Sequence, residues 1–362
     1  MTGHANAVPV TIVAYAGYRS KTRLRLRARV LRHERPRDPP RTAWQKFRAM
    51  ARLYASREVA GVAVTLSFDR LTASAVSDGE GFVDFDCALP SARALPARTA
   101  WETGTMAATS HPQPDGASNA QILAPGGDIS HAVISDLDDT VLETGVWNLA
   151  RNWRRVLLAT PADRVVVPGV EDLFRNVGGG AGGEKAGDQT HSAPSRPFFY
   201  VSSSPWNLYG FLTEFLKLNG LPHGPMSLKD WGLDAKTFGG ASHGDHKTRQ
   251  ISSLIEFYPQ LDFILIGDDS QGDVAAYAEA VTSHADRVSG VFIRNVHDKS
   301  LSPEERSAIA AMRAAGVPVW EGSAWDAGDK MIEAMKLTAS GEVAQVSKTL
   351  EKTEVEHEAP LP

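Results

Sequence analysis

In the stretch HAVISDLDDTVLETG a short apolar run, Ala132 to Ile134, leads into Asp136, Asp138 and Thr140. The run reads as a buried strand, and strands of an α/β sheet deliver the residues at their carboxyl ends into the crevice where such sheets bind ligands. Carboxylates this close repel one another, so the spacing calls for a cation between them. A second apolar run, LDFILIG, ends in Asp268, Asp269, Ser270 and Asp273. A third, PFFYV, ends in Ser202, Ser203 and Ser204, and HGDHKTRQ carries Lys247. Phosphoryl transfer needs a nucleophile, an acid for the leaving oxygen and positive charge for the phosphoryl oxygens, and these residues could supply all three. Taken singly, each has a plainer reading: a solvated acidic turn, a serine capping a helix, a surface lysine.

The elements that must hold these residues are legible from periodicity. From Asp136 onward, apolar strands alternate with helical stripes, as in a mostly parallel sheet. Pro205 is expected to open a helix with the stripe Leu208, Phe211, Leu212, Phe215 and Leu216, closed by Gly220. That would put Ser202 at a strand-to-helix turn, where free N–H groups suit a phosphate, with Ser204 able to cap. Lys247 is expected near the start of a helix whose inward stripe is Ile251, Leu254, Ile255 and Tyr258. A cation there opposes the helix dipole unless it meets an anion. VSGVFIRNV and VPVW read as further strands, Ser302, Pro303 and Glu305 as a capping-box start, and a last helix begins at about Ala324. His223, His243 and His246 lack metal spacing and read as loop residues.

Before Asp136 the pattern is β. Leu24, Leu26, Ala28 and Val30 alternate with Arg23, Arg25, Arg27 and Arg29; Val62, Val64, Leu66 and Phe68 alternate likewise, followed by the turn SDGEG and by Phe82, Val83 and Phe85. This predicts a small β-sandwich, crossed by one helix carrying Trp44, Phe47, Ala51 and Tyr54. The arginine face is expected to be solvated or to meet anionic lipid. With 362 residues the chain exceeds one ordinary core. The expected division is residues 1–130, then 131–337 with a flexible Gly-rich insertion at 178–196, then a disordered tail at 338–362.

Composition removes several classes. A net charge of -5 gives no hint of nucleic-acid binding, and the lone Cys87 excludes an internal disulfide or a multi-cysteine zinc site. The N-terminus lacks the apolar core of a signal peptide and no apolar run reaches ~18 residues, so the expectation is a cytoplasmic protein with at most peripheral membrane contact.

Taken in chain order, DLDDT, a strand ending in serine, a lysine and GDDSQGD resemble the four-motif signature of the haloacid dehalogenase (HAD) superfamily. The finer spelling, ISDLDDTVLETG, YVSSSPWNLY, HKTRQI, ILIGDDSQGD and VFIRNV, resembles the phosphatidate phosphatase family named after the fungal actin-patch protein. The resemblance implies an α/β fold, with a Rossmann-like HAD catalytic domain behind the β-rich region, and a Mg²⁺-dependent phosphatase acting on phosphatidate or a related phospholipid. In these roles Asp136 is the nucleophile, Asp138 the acid and base, and Thr140 a loop stabiliser beside the substrate. Ser202 and Lys247 hold phosphoryl oxygens, and Mg²⁺ takes Asp136, the Asp138 carbonyl and Asp268, with Asp269 and Asp273 secondary. The alternatives are a phosphatase of a soluble phosphomonoester and a non-catalytic phospholipid-binding module; the presence of Asp138 speaks against the second. For contact with lipid, Trp147 and Trp153 with Arg151, Arg154 and Arg155 are the first candidates, the arginine strand the second.

Overall fold

The computed structural model describes residues 7–33, 58–142, 166–178, 195–230, 241–270, 272–296 and 301–335. The predicted helix around Trp44, the Gly-rich insertion, the Trp147 to Arg155 segment and the tail fall wholly or almost wholly outside these residues.

The first half forms one sheet from β1 (Val10–Ala14), β2 (Gly17–Arg19), β3 (Arg23–Arg32), β4 (Ala63–Phe68), β5 (Leu71–Val76), β6 (Phe82–Ala88), β7 (Ala100–Ala108) and β8 (Ser118–Ala124). The strands run β1-β3-β2-β8-β7-β4-β5, and β6 pairs with β3. They are therefore hydrogen-bonded in one continuous sheet, not in two separate sandwich leaves. The sheet bends over so that Leu24 and Leu26 of β3, Leu66 of β4 and Ile122 of β8 share one apolar cluster. A long twisted sheet buries its apolar face this way.

The second half alternates strands and helices: β9 (His131–Ser135), α1 (Val170–Val177), β10 (Phe198–Pro205), α2 (Tyr209–Leu218), β11 (Met226–Lys229), α3 (Ala241–Phe257), β12 (Asp262–Asp268), α4 (Asp273–His284), β13 (Val288–Arg294), α5 (Pro303–Ala314), β14 (Val319–Gly322) and α6 (Asp329–Ala334). The six strands are parallel in the order β11-β10-β9-β12-β13-β14. Successive side chains of a strand point to opposite faces. Val133, Phe198, Tyr200, Ile264 and Ile266 accordingly pack with α1 and α2, and Ala132, Ile134, Phe199, Val201 and Leu265 with α3 and α4. Both faces are covered, which is why these strands read as continuous apolar runs. The chain builds β9, β10 and β11 toward one edge and returns to place β12 on the other side of β9. The crevice at that reversal lies at the carboxyl ends of β9, β10 and β12. Among the described residues no helix is long and apolar enough to cross a membrane.

The arginine face of β3 is partnered along its length, solvated at Arg23, half-buried at Arg25 and Arg27 and buried at Arg29. In register, Arg25 lies opposite Asp86 and Arg27 opposite Asp84 on β6, and the Arg27 guanidinium donates to Asp84 at 2.6 and 2.8 Å. Arg25 also donates to Ser253 Oγ on α3 at 2.7 Å, and the buried Arg29 to Asn207 Oδ1 at 2.9 Å. Cross-strand acids and partners from the second half thus hold the stripe in the seam between the two sheets. Tyr15 stacks on Trp206 at 4.5 Å, and Tyr18 packs edge-on to Phe257 at 4.9 Å. The Ala16 N–H donates to the Tyr209 hydroxyl at 2.8 Å.

The seam holds a carboxyl raised by its neighbour, Glu80 beside Asp230. A hydrogen bond to Asp230 and partial burial raise the Glu80 carboxyl to about 7. A carboxyl raised in the folded state stabilises it below its ordinary value, and that contribution is lost as pH rises through the folded value. The melting temperature of the wild type minus that of Glu80→Gln is expected to fall between pH 5 and pH 8. A difference independent of pH in thermal melts would remove the pair from the seam's stability.

Candidate active site

Asp136 is the first residue beyond β9, and its N–H extends the ladder by donating to Ile266 O of β12 at 2.8 Å. The chain must then reverse at once, and Asp139 does this in the left-handed region at φ 60°, which aspartate tolerates better than most residues. The turn is tied from outside: Arg294 donates to Asp139 O at 2.7 Å and Trp325 Nε1 to Thr140 O at 3.1 Å. Asp136, Asp138 and Thr140 are all buried.

Four elements bring side chains to this loop. Lys247, 1% exposed, donates from Nζ to Asp136 Oδ1 at 2.9 Å and also to Asp273 Oδ1. Thr140 Oγ1 donates to Asp268 Oδ2 at 3.0 Å. The Asp268 N–H donates to Asp273 Oδ2 at 3.2 Å, which fixes the first residue of α4 against the end of β12. Ser202 Oγ donates to Asp138 Oδ2 at 2.9 Å, and Ser204 Oγ contacts both oxygens of Asp138 at 3.0 Å.

Several expectations change here. β10 runs on to Pro205, and a 3-10 turn at Trp206–Leu208 precedes α2, so neither Ser202 nor Ser204 stands at a helix start. As alternate residues of an extended strand they reach the same side, and together they hold Asp138. Sequence reasoning gave Ser204 only a capping role. α3 begins at Ala241, so Lys247 lies inside the helix, and its place follows from the carboxylates it meets and not from the dipole. Asp269 stands apart from the acidic group: its Oδ1 accepts from the Val296 N–H at 2.9 Å. His243 and His246 belong to α3, not to a loop. Trp325 and Arg294 were missed as supports. Trp325 gives no local signal, whereas Arg294 belongs to VSGVFIRNV, which reads as a strand and carries part of the resemblance but gives no sign of a support for the loop.

The electrostatics show a site short of positive charge. Asp136 is pushed well above the usual carboxylate range by burial and by Asp273, with Lys247 opposing. Asp138 is raised by burial, opposed by the Ser202 hydrogen bond, Lys247 and Ser204. Burial and Asp273 raise Asp268 to about 7. Burial disfavours the Lys247 ammonium, but Asp136 and Asp273 outweigh it and hold the lysine above its ordinary value. The two ends of the Lys247–Asp136 contact therefore differ: the lysine is secured, the aspartate is not. One ammonium among four buried carboxyls explains this.

A divalent cation fits. Carboxylate oxygens of Asp136, Asp268 and Asp273 lie within 4.8 Å of one another, all buried, and Asp136 Oδ2 has no hydrogen-bond partner. An all-oxygen donor set of this kind suits a hard cation.

Residues 131–295 match the family model described as the catalytic domain of phosphatidate phosphatase APP1. Phosphatidate phosphatase APP1 of Saccharomyces cerevisiae is 26% identical over 162 residues, 45% of this chain and 25% of that protein. An uncharacterized protein of Schizosaccharomyces pombe is 28% identical over 171 residues, 46% of this chain and 25% of its own length. The chain thus spans about a quarter of the length of these curated relatives. Among solved structures, a carbohydrate acetylesterase from Xanthomonas citri aligns with 85% of this chain and 74% of its own, at 10% identity and a TM-score of 0.27, too low to bear on the fold.

Gly267 shows how tightly the acids are set. A Cβ there would lie 2.5 Å from the Tyr277 hydroxyl and 2.6 Å from Asp273 Oδ2. Gly267→Ala is expected to displace Asp273 and to destabilise the fold by about 1–3 kcal/mol, as overpacking does. Chemical denaturation checks this, and an unchanged midpoint would show that the acids have room to move.

Proposed function

We propose, from the match of residues 131–295 to the phosphatidate phosphatase APP1 catalytic-domain family, that the chain is a Mg²⁺-dependent phosphatase. It would cleave phosphatidate to diacylglycerol and phosphate through an aspartyl-phosphate, on a HAD-type catalytic unit at 131–337 behind the β-rich region at 1–130. The observation that carries the chemistry is the pairing of two unlike carboxyls. Asp136 keeps one buried oxygen without a partner, while Asp138 is held by two serine hydroxyls in a site that favours its protonated form.

In the first step the Asp136 carboxylate attacks phosphorus, the bond from phosphorus to the alkoxide oxygen breaks, and Asp138 gives its proton to that oxygen. In the second, Asp138 takes a proton from water as the water attacks phosphorus, which frees phosphate and restores the Asp136 carboxylate. Lys247 faces the same oxygens and neutralises charge that develops on the phosphoryl group. Ser202, held on Asp138 here, would turn its hydroxyl to a phosphoryl oxygen. The divalent cation, Mg²⁺ on this reading and held by Asp136, Asp268 and Asp273, supplies the positive charge that lets the carboxylates ionise together.

The lipid part of the reading rests on the family. It has the chain working from the cytoplasm and touching the lipid surface peripherally. Arg25, Arg27 and Arg29 are engaged in the seam, which puts the segment with Trp147 and Trp153, outside the described residues, first as the candidate contact, with the exposed Arg23 end of the stripe second. A soluble phosphomonoester is the alternative substrate.

Phosphate release from phosphatidate in mixed micelles and from a soluble phosphomonoester, each with and without Mg²⁺, tests the proposal. Release from phosphatidate that requires Mg²⁺ is expected. Asp136→Asn and Asp138→Asn should each lower kcat on the order of 10³-fold or more. Release from the soluble ester alone would pass the site to the alternative substrate, and near-normal turnover by Asp136→Asn would exclude the aspartyl-phosphate.

A further inference from the structure

β10 ends in three consecutive serines that do not share a face. Side chains alternate along an extended strand, so Ser202 and Ser204 point to one side and Ser203 to the other. Pro205 supports this arrangement: a proline disfavours the helical region for the residue before it, and Pro205 itself pairs in parallel with Lys229 of β11. Ser204 thus stays extended and fully buried, with its hydroxyl on Asp138.

The two hydroxyls hold Asp138 differently. Ser202 Oγ accepts from the Ser204 N–H at 2.9 Å and donates to one oxygen of Asp138, Oδ2, at 2.9 Å. Ser204 Oγ lies 3.0 Å from both oxygens. The terminal torsion of an aspartate is broad, so a bond to one oxygen leaves the carboxyl room to swing. Equal contacts to both oxygens oppose that rotation. Ser202 also has only one hydroxyl hydrogen to give. When that hydrogen turns to a phosphoryl oxygen, Asp138 loses the bond from Ser202 and keeps the one from Ser204. Lys247 does not take over, since its Nζ donates to Asp136 and Asp273.

We propose that Ser204 is a positioning residue for the leaving-group step: it keeps Asp138 aimed at the alkoxide oxygen while Ser202 attends to the phosphoryl group. The assignment rests on the phosphatase reading of the site and adds a division of labour between the two serines. In the step concerned the bond from phosphorus to the alkoxide oxygen breaks, its electron pair stays on that oxygen, and the Asp138 proton passes to it. Ser204 neither gains nor loses a proton and does not touch the substrate. A misaimed acid slows the reaction most where the leaving oxygen most needs the proton.

An alkyl ester and an aryl ester separate this role from a structural one, because an alkoxide needs a proton to leave and a nitrophenolate does not. Rates with dioctanoyl phosphatidate in micelles and with para-nitrophenyl phosphate, both taken on the same preparation of the full chain with Mg²⁺, give a ratio of kcat/KM values that is independent of the fraction folded. Ser204→Ala is expected to lower kcat/KM about 10- to 100-fold for phosphatidate and less than about threefold for the aryl ester. On phosphatidate the loss should fall on kcat, with KM within about twofold of the wild type. Equal losses on both esters, or a loss carried by KM, would mean that Ser204 holds the phosphoryl group or the fold, and would overturn the assignment. Asp138→Asn tests the reading underneath and should show the same preference more strongly. If it does and Ser204→Ala does not, only the positioning role falls. If Asp138→Asn loses equally on both esters, or the wild type cleaves neither, the acid is misassigned and the role of Ser204 falls with it.

Discussion

The contact on which the rest depends is the one between Lys247 and the carboxylates of Asp136 and Asp273. A buried carboxylate without a partner is costly, and breaking a buried pair by removing one member typically costs ~3–5 kcal/mol. Here one ammonium serves two acids from different strand ends, with Asp268 and Asp138 beside them. The lysine joins α3 to the loop after β9 and to the start of α4. It also leaves the group short of positive charge: four acids stand against one base. A fold that tolerates such a deficit is completed by whatever brings positive charge to it. This is why the same residues that look like a defect in packing look like a site in chemistry.

What makes the deficit tolerable is the sheet behind it. β9, β10 and β12 are apolar on both faces and clamped between two helical layers, so their ends are fixed by packing that does not involve the acids. Each functional side chain is at a strand end or on a helix packed directly against the sheet. Only the turn at Asp139 needs separate support. It gets this from Arg294 at the end of β13 and from Trp325 beyond β14, so strands that carry none of the acids still hold the loop's left-handed residue.

Most of the site was legible in the sequence because its residues follow strands, and an apolar run followed by an acid is a local signal. The parallel sheet, the capping box at Ser302 with Glu305 and the placing of Asp136, Asp138, Ser202 and Asp268 follow from such local signals, whereas Lys247 lies inside a helix and is placed by the carboxylates it meets. What was not legible depends on side-chain direction or on distant partners. Ser204 differs from Ser203 only in the face it presents, and that could not be known until β10 was seen to stay extended to Pro205. Trp325 acts across 185 residues of sequence. The arginine stripe showed its period but not its partners. Opposite charges at Asp84 and Asp86 were visible as residues, but their register against Arg27 and Arg25 is a property of the paired sheet.

The seam obeys the same logic of partners. Guanidinium groups cover aromatic rings there: Arg25 lies 4.9 Å from the Phe257 ring and Arg27 5.2 Å from that of Trp206. Such stacking suits Arg better than Lys, because a planar, weakly hydrated cation can keep its acid partners while lying on a ring. An apolar seam would have closed completely, as cores do at native packing density. A seam built from paired charges and rings can instead keep open space beside it, since its guanidinium groups at Arg25, Arg27 and Arg29 have partners already in place. The β-rich half thereby contributes a wall to a cavity and a set of contacts to α3, to α2, to the turn before it and to β10.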